Sequence, residues 1–263
     1  MLKRELKVNL KSFIIWTSIL IGMFLIVYLM YPAIISSGNI EMMNEMMDMF
    51  PEEILKAFNM DISTMDSAYG WLKTEGFVFV YLIVGVYSSI MGSSILLKEE
   101  SEKTIEYLNA LPIRRRDILK SKVFCGIIYI ILMVLLMGIF NYIGLELSGD
   151  FDRKQFLLLS LTPLFIGLPL FGINLFISTF CRKTKKTFGI ALGVSFLSYF
   201  LQVLSDISEE VEFLKYFTVY TLGDLRNVIV NISINPVLVL ISILITIIFI
   251  ILSFVRYEKK ELL

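Results

Sequence analysis

Bond-making chemistry needs bases, nucleophiles or metal ligands, and this sequence holds few of them. It contains no histidine, which removes the commonest general base and the commonest metal ligand together, so no metal site is expected. Cys125 and Cys181 fall at one end of apolar runs, on the side expected to face a reducing interior, where a structural disulfide is not expected. Glu99 and Glu100 sit beside an apolar run, as in glutamate-type intramembrane proteases, but that chemistry needs histidine partners, and so does the serine type. No G-x-x-x-x-G-K-[ST] occurs, so the chain has no usual phosphate-cradling loop. Catalysis is not expected, and neither is nucleic-acid binding.

What remains is charge. Lys98 to Lys122, KEESEKTIEYLNALPIRRRDILKSK, is a charged, helix-forming island between two apolar runs. Glu99 and Lys103 stand at the i,i+4 spacing that pairs opposite charges. Ile105, Leu108 and Leu111 recur every three residues and give the helix one apolar stripe. Pro112 ends it, lacking a donor and pushing Leu111 out of the helical region. A second short helix is expected from about Arg115, with Asp117 in its first turn and Lys120 and Lys122 further on. Arg114, Arg115 and Arg116 then crowd the turn, where a solvated topology signal or a contact with anionic lipid would also use them.

The elements around the island are apolar. At 57% apolar residues and a mean hydropathy of +0.78, the chain reads as a polytopic membrane protein. The 263 residues accommodate six spans, near 13–35, 76–97, 123–145, 156–181, 187–204 and 236–255, in one all-α membrane domain over 1–263. Lys3, Lys7 and Lys11 beside Leu2, Leu6 and Leu10 make an amphipathic amino-terminal helix suited to an anionic inner leaflet. The long connection 36–74 carries a methionine-rich stretch expected to form outer-surface helices, with Ser63-x-x-Asp66 resembling a capping box. Ser88, Ser89 and Gly92 in the second span are small residues that allow close helix packing; Asn141 and Asn174 are the strong polar groups of the third and fourth. Pro163 and Pro169 should break the fourth. Residues 205–235, too apolar for a free loop, should form one or two short helices dipping into the outer leaflet before the last span.

No span interior, so bounded, contains Asp, Glu, Lys or Arg, which argues against an ion-coupled carrier. The island, the amino terminus, the loop 182–186 and the carboxy terminus hold 18 of the 24 Lys and Arg. The positive-inside rule therefore places both termini in the cytoplasm of a plasma-membrane protein.

The string Glu100-x-x-Lys103-Thr104-Ile105-Glu106-x-Leu108-x-Ala110-Leu111-Pro112-Ile113-x-Arg115-Arg116-Asp117-Ile118 resembles the first cytoplasmic loop of type-2 ABC exporter permeases, departing at Lys103 (usually Gly) and Arg114 (usually Ser). The resemblance implies a coupling helix that meets an ABC ATP-binding subunit, with Glu100, Thr104, Glu106, Leu108, Leu111, Pro112, Arg115 and Arg116 as its contact residues. It further implies two copies of that subunit, which would hold ATP and Mg, and no cofactor in this chain. A second permease subunit, identical or related, would complete the membrane half. Within that family cargoes run from drugs to antimicrobial peptides to lipid-like molecules; Ser88, Ser89, Asn141 and Asn174 are the candidate cargo-path residues. Two other readings stand beside it: a non-pumping scaffold or immunity protein that binds a toxic peptide, and an ATP-independent facilitator, which would need a more polar span lining.

Overall fold

The computed structural model describes residues 1–35, 67–101, 114–181, 184–207 and 209–259, with 31–35, 100 and 209 described by backbone alone. The methionine-rich stretch, the Ser63–Asp66 box and residues 102–113 of the island lie outside the described residues.

Among the described residues, six helices are long and apolar enough to cross a membrane, and no strand occurs. The first, α1, runs without interruption over Leu2–Ile35. The basic segment expected to lie on the membrane surface is thus the first part of the same rod, roughly 50 Å long at 1.5 Å per residue. The reason is visible in its buried positions: Glu5, Asn9, Phe13, Thr17, Leu20 and Phe24 recur every three or four residues, one stripe continuous from surface segment to span.

The second span, α2, occupies Ala68–Ile95 and begins eight residues earlier than its apolar run suggests. Ser67 caps it by accepting a hydrogen bond from Gly70 N at 3.0 Å. A π-helical turn over Leu72–Gly76 then brings Glu75 into the helix before the apolar stretch starts. A short helix α3, Lys98–Ser101, follows. The third span, α4, is Arg115–Ser148, with Asp117 in its first turn as expected. No separate short helix restarts at Arg115: that turn is already the start of the span, so Lys120 and Lys122 sit in the first part of a long helix and not at a carboxy-terminal end.

The fourth span is two helices, α5 (Arg153–Leu161) and α6 (Leu164–Ser178), broken at Thr162–Pro163 as expected of Pro163, whereas Pro169 lies inside α6 without breaking it. The fifth is α7, Thr184–Ile207. Two 3₁₀ segments, Glu209–Phe217 and Tyr220–Gly223, and the helix α8, Leu225–Asn231, fill the expected short-helix region. The last span, α9, is Pro236–Glu258, with Pro236 at its first turn and Asn235 capping Val237 N at 3.0 Å.

α2 and α6 form the centre; α6 packs on α2 and α9, α7 on α2, and α1 on α4. The α2–α6 contact depends on missing side chains. A Cβ at Gly92 would lie 2.4 Å from the backbone oxygen of Phe171, so the two backbones touch where the small-residue pattern of the second span places them. On the far side of α6, Ser242 of α9 donates to Phe165 O at 2.8 Å.

Candidate functional site

The charged island enters and leaves the bundle through two roots, the end of α2 with α3 and the start of α4. The chain between them lies outside the described residues, but both roots are clear. Lys122 is seven residues into α4, and with Ile118, Leu119 and Val123 around it it points into the bundle, toward the end of α2. Its side chain is 1% exposed. A cation in such a place must be matched by charge and saturated with acceptors.

Lys122 is both. Its Nζ donates to Glu99 Oε1 and Oε2 at 2.7 and 2.8 Å, to Ile95 O at 2.8 Å, and to Glu5 Oε2 at 3.2 Å. The carboxylates are buried with it. Glu99, which sequence spacing pairs with Lys103, therefore gives both oxygens to Lys122. Beside the triad, Asn9 Nδ2 donates to Glu5 O at 2.9 Å and contacts Cys125 Sγ at 3.8 Å, and Phe13 stacks on Tyr129 at 4.6 Å between centroids. One ammonium thus ties α1, the α2 end and α4 together around the two roots.

Lesser links add the remaining helices. Lys98 Nζ donates to Val8 O at 3.2 Å, and Thr184 Oγ1 at the start of α7 donates to Leu97 O at 3.4 Å. Arg116 forks onto both carboxylate oxygens of Glu258 at the end of α9, with Nη2 to Oε2 at 2.9 Å. That pair is mostly exposed, so it fixes proximity and contributes little stability. The amino-terminal end of α1, the end of α2, and the starts of α4 and α7 and the end of α9 therefore meet at one pole, where the basic segments are concentrated.

The boundaries read from hydropathy are corrected here. Spans drawn at 13, 97 and 123 left Glu5, Glu99 and Lys122 outside, and the conclusion that no span interior holds a charge followed from those limits. α1 and α4 begin before the apolar runs and bury Glu5 and Lys122, while Glu99 is buried in α3, just beyond the end of α2. A signal for this was present. Glu5 is the lone acid among Lys3, Arg4, Lys7 and Lys11 and shares a helix face with Leu2, Leu6 and Asn9, so it marks the face turned inward.

Of the expected contact residues, Arg115 and Arg116 are exposed at the α4 root, Glu100 is in α3, and Thr104, Glu106, Leu108, Leu111 and Pro112 lie outside the described residues. The four candidate cargo-path residues are all fully buried. Ser88 packs where a Cβ at Gly167 would come within 2.8 Å of its Oγ; Ser89 Oγ has no hydrogen-bond partner. Asn141 Oδ1 accepts from Tyr28 at 3.1 Å, and Asn174 Nδ2 donates to Leu170 O at 2.9 Å within its own helix. They do not form one cluster with the triad. Among the described residues no group of three His, Cys, Asp or Glu could hold a metal ion. The arrangement holds α1, the end of α2 and α4 together through one buried cation.

The family model described as ABC-2 family transporter protein matches residues 1–262. Comparison with the curated proteins and with the solved structures found no match.

Proposed function

We infer the function of this chain from the family to which it belongs, the ABC-2 family of transporter proteins. It is a multi-pass membrane protein and the permease subunit of an ABC transporter. We propose further that the transporter is an exporter, that ATP and Mg are bound by a separate ABC ATP-binding subunit present in two copies, and that two permease subunits, identical or related, share one transport path. Both termini and the island then face the cytoplasm.

The observation that supports this reading most strongly is the pole at which Lys122 joins α1, the α2 end and α4. An ATPase pressing on the island around Thr104, Glu106, Leu108 and Leu111–Arg116, with Glu100 at its near end, would move those three helices together. The cargo is proposed to be amphipathic or hydrophobic, such as a peptide, lipopeptide, drug or lipid-like molecule. Ser88, Ser89, Asn141 and Asn174 would meet it on a path that opens between helices of the bundle.

The test is to co-express the chain with the ATPase encoded beside it, purify through a tag on this chain alone, and measure ATP hydrolysis in lipid. A stoichiometric partner is expected, together with cargo-stimulated hydrolysis that Leu111→Asp abolishes while the complex stays folded. Unchanged stimulation in Leu111→Asp removes the island from the coupling role. Purification without any nucleotide-dependent partner overturns the ATPase partnership.

A further inference from the structure

At the pole opposite the triad, α2, α7 and the segment 209–231 enclose a cavity in two parts. The inner part, about 120 Å³, is walled by Val78, Tyr81, Tyr199, Val203, Tyr220 and Leu225. It opens into a polar mouth of about 660 Å³ bordered by Asp206, Glu212, Lys215, Asp224 and Arg226. The two share Gln202, Asp206, Thr221, Asp224 and Arg226, so they form one continuous site with an apolar end and a charged end.

The inner walls are held in place. Tyr220 and Tyr199 meet edge to face at 5.4 Å. The Tyr220 hydroxyl is paired with Ser195 Oγ at 3.0 Å, and Tyr81 donates to Gly223 O at 3.0 Å. With those hydroxyls engaged, two of the tyrosines offer mainly ring surface. A pocket this size accepts a group about as large as benzene, such as one aromatic ring or the end of one acyl chain.

Among the described residues, the mouth has an unbalanced charge. Lys215 is neutralised by Glu212 at 2.5 Å, which leaves Arg226 against Asp206 and Asp224. Gln202 receives Thr221 Oγ1 on its carbonyl at 2.6 Å and donates to Asp206 Oδ1 and Oδ2 at 3.2 and 3.1 Å. Asp224 is left-handed, at φ 50°, a conformation aspartate tolerates; its Oδ2 accepts from Asn227 Nδ2 at 2.9 Å and Asn235 N at 3.3 Å. Among the described residues, neither carboxylate has a Lys or Arg nitrogen within 4.0 Å. Two carboxylates held by uncharged donors, one facing cation and an adjoining set of aromatic rings suit a single positive charge on an apolar body.

We propose that this cavity binds an amphiphile with one ammonium head, its apolar portion between Tyr199 and Tyr220 and its head against Asp206 and Asp224. The proposal names a binding chemistry for the chain alone and does not depend on ATP-driven transport. Its failure and the failure of the transport reading are therefore read in separate experiments.

The probe is labelled dodecylammonium, titrated against the full-length chain in an uncharged maltoside detergent. Saturable binding is expected, with dodecyl sulfate failing to compete. Asp206→Asn should weaken binding about tenfold or more, the scale of one charge-assisted hydrogen bond. Val203→Trp fills the inner part without altering charge and should weaken binding comparably, which keeps the test decisive if the aspartate variant does not fold. Competition by short-chain phosphatidylethanolamine would support the site with a membrane lipid as its source of ammonium; competition by simple alkylammonium compounds alone would support it with a non-lipid source. Equal binding of dodecyl sulfate, or unchanged affinity in both variants, overturns the proposal.

Discussion

Replacing Lys122 by methionine keeps the length of the side chain and removes its charge and its donors. In the native structure that ammonium serves four acceptors between 2.7 and 3.2 Å, two of them the oxygens of Glu99. Without it, two carboxylates remain buried side by side with their cation gone. Removing one partner of a buried ion pair costs about 3–5 kcal/mol, because the stranded charge keeps its desolvation penalty and loses its compensation. At roughly 2–4 °C per kcal/mol for chains near this size, Lys122→Met should lower the melting temperature by about 6–20 °C. Glu5→Gln leaves a neutral Lys122–Glu99 pair and retains an amide oxygen as acceptor, so its cost should be about 1 kcal/mol or less. Glu99→Gln should fall between, since Glu5, at 3.2 Å, is the weaker counter-ion. The triple variant Lys122→Met, Glu5→Gln, Glu99→Gln removes all the charge and should recover much of the loss. Thermal unfolding of the four variants in one detergent at one pH tests the order. If Glu5→Gln melted as low as Lys122→Met, or if Lys122→Met melted with the native chain, the buried-charge argument would be wrong.

Two further outcomes follow from the packing. Gly92→Val places a Cβ 2.4 Å from the Phe171 oxygen, a backbone atom that cannot step aside, so α2 and α6 must separate. Yield of folded protein should collapse in size-exclusion profiles, whereas Gly193→Ala, with nothing within 4 Å of its added carbon, should run as the native chain. Gln155 accepts from the Tyr69 hydroxyl at 2.7 Å and donates to Ile229 O at 2.7 Å and Val228 O at 3.3 Å, so Gln155→Ala strands buried groups on α2 and α8. A loss of about 1–3 kcal/mol is expected, with proteolysis of the 209–231 segment accelerating ahead of the rest of the chain.

Much of this architecture is written in hydropathy alone. The Pro-headed run of α9 and the break at Pro163 place spans to within a few residues because each depends on local physics, a missing donor and a fixed φ, whereas the uncharged run inside α4 begins eight residues after the helix does. Ser88 and Gly92 could likewise be read as close-packing residues from their spacing. The triad could not be read so directly. Lys122 meets Glu5 across 117 positions and Glu99 across 23, and which faces of three helices converge is decided by the whole bundle. Hydropathy also started the first and third spans too late, since a buried ion triad scores as polar even where it is covered. The charge count placed Lys122 among residues that orient the chain, and the structure gives it a second task. Arg114, Arg115 and Arg116 stay exposed at the root of α4, with Arg116 on Glu258, while Lys122, six residues after Arg116, is withdrawn to tie the roots together. A loop attached to two helices fixed to each other and to α1 cannot shift one root alone without breaking a buried ion pair. Motion imposed on this island should therefore be shared by α1, α2 and α4, and taken up where α2 slides on α6 and α7.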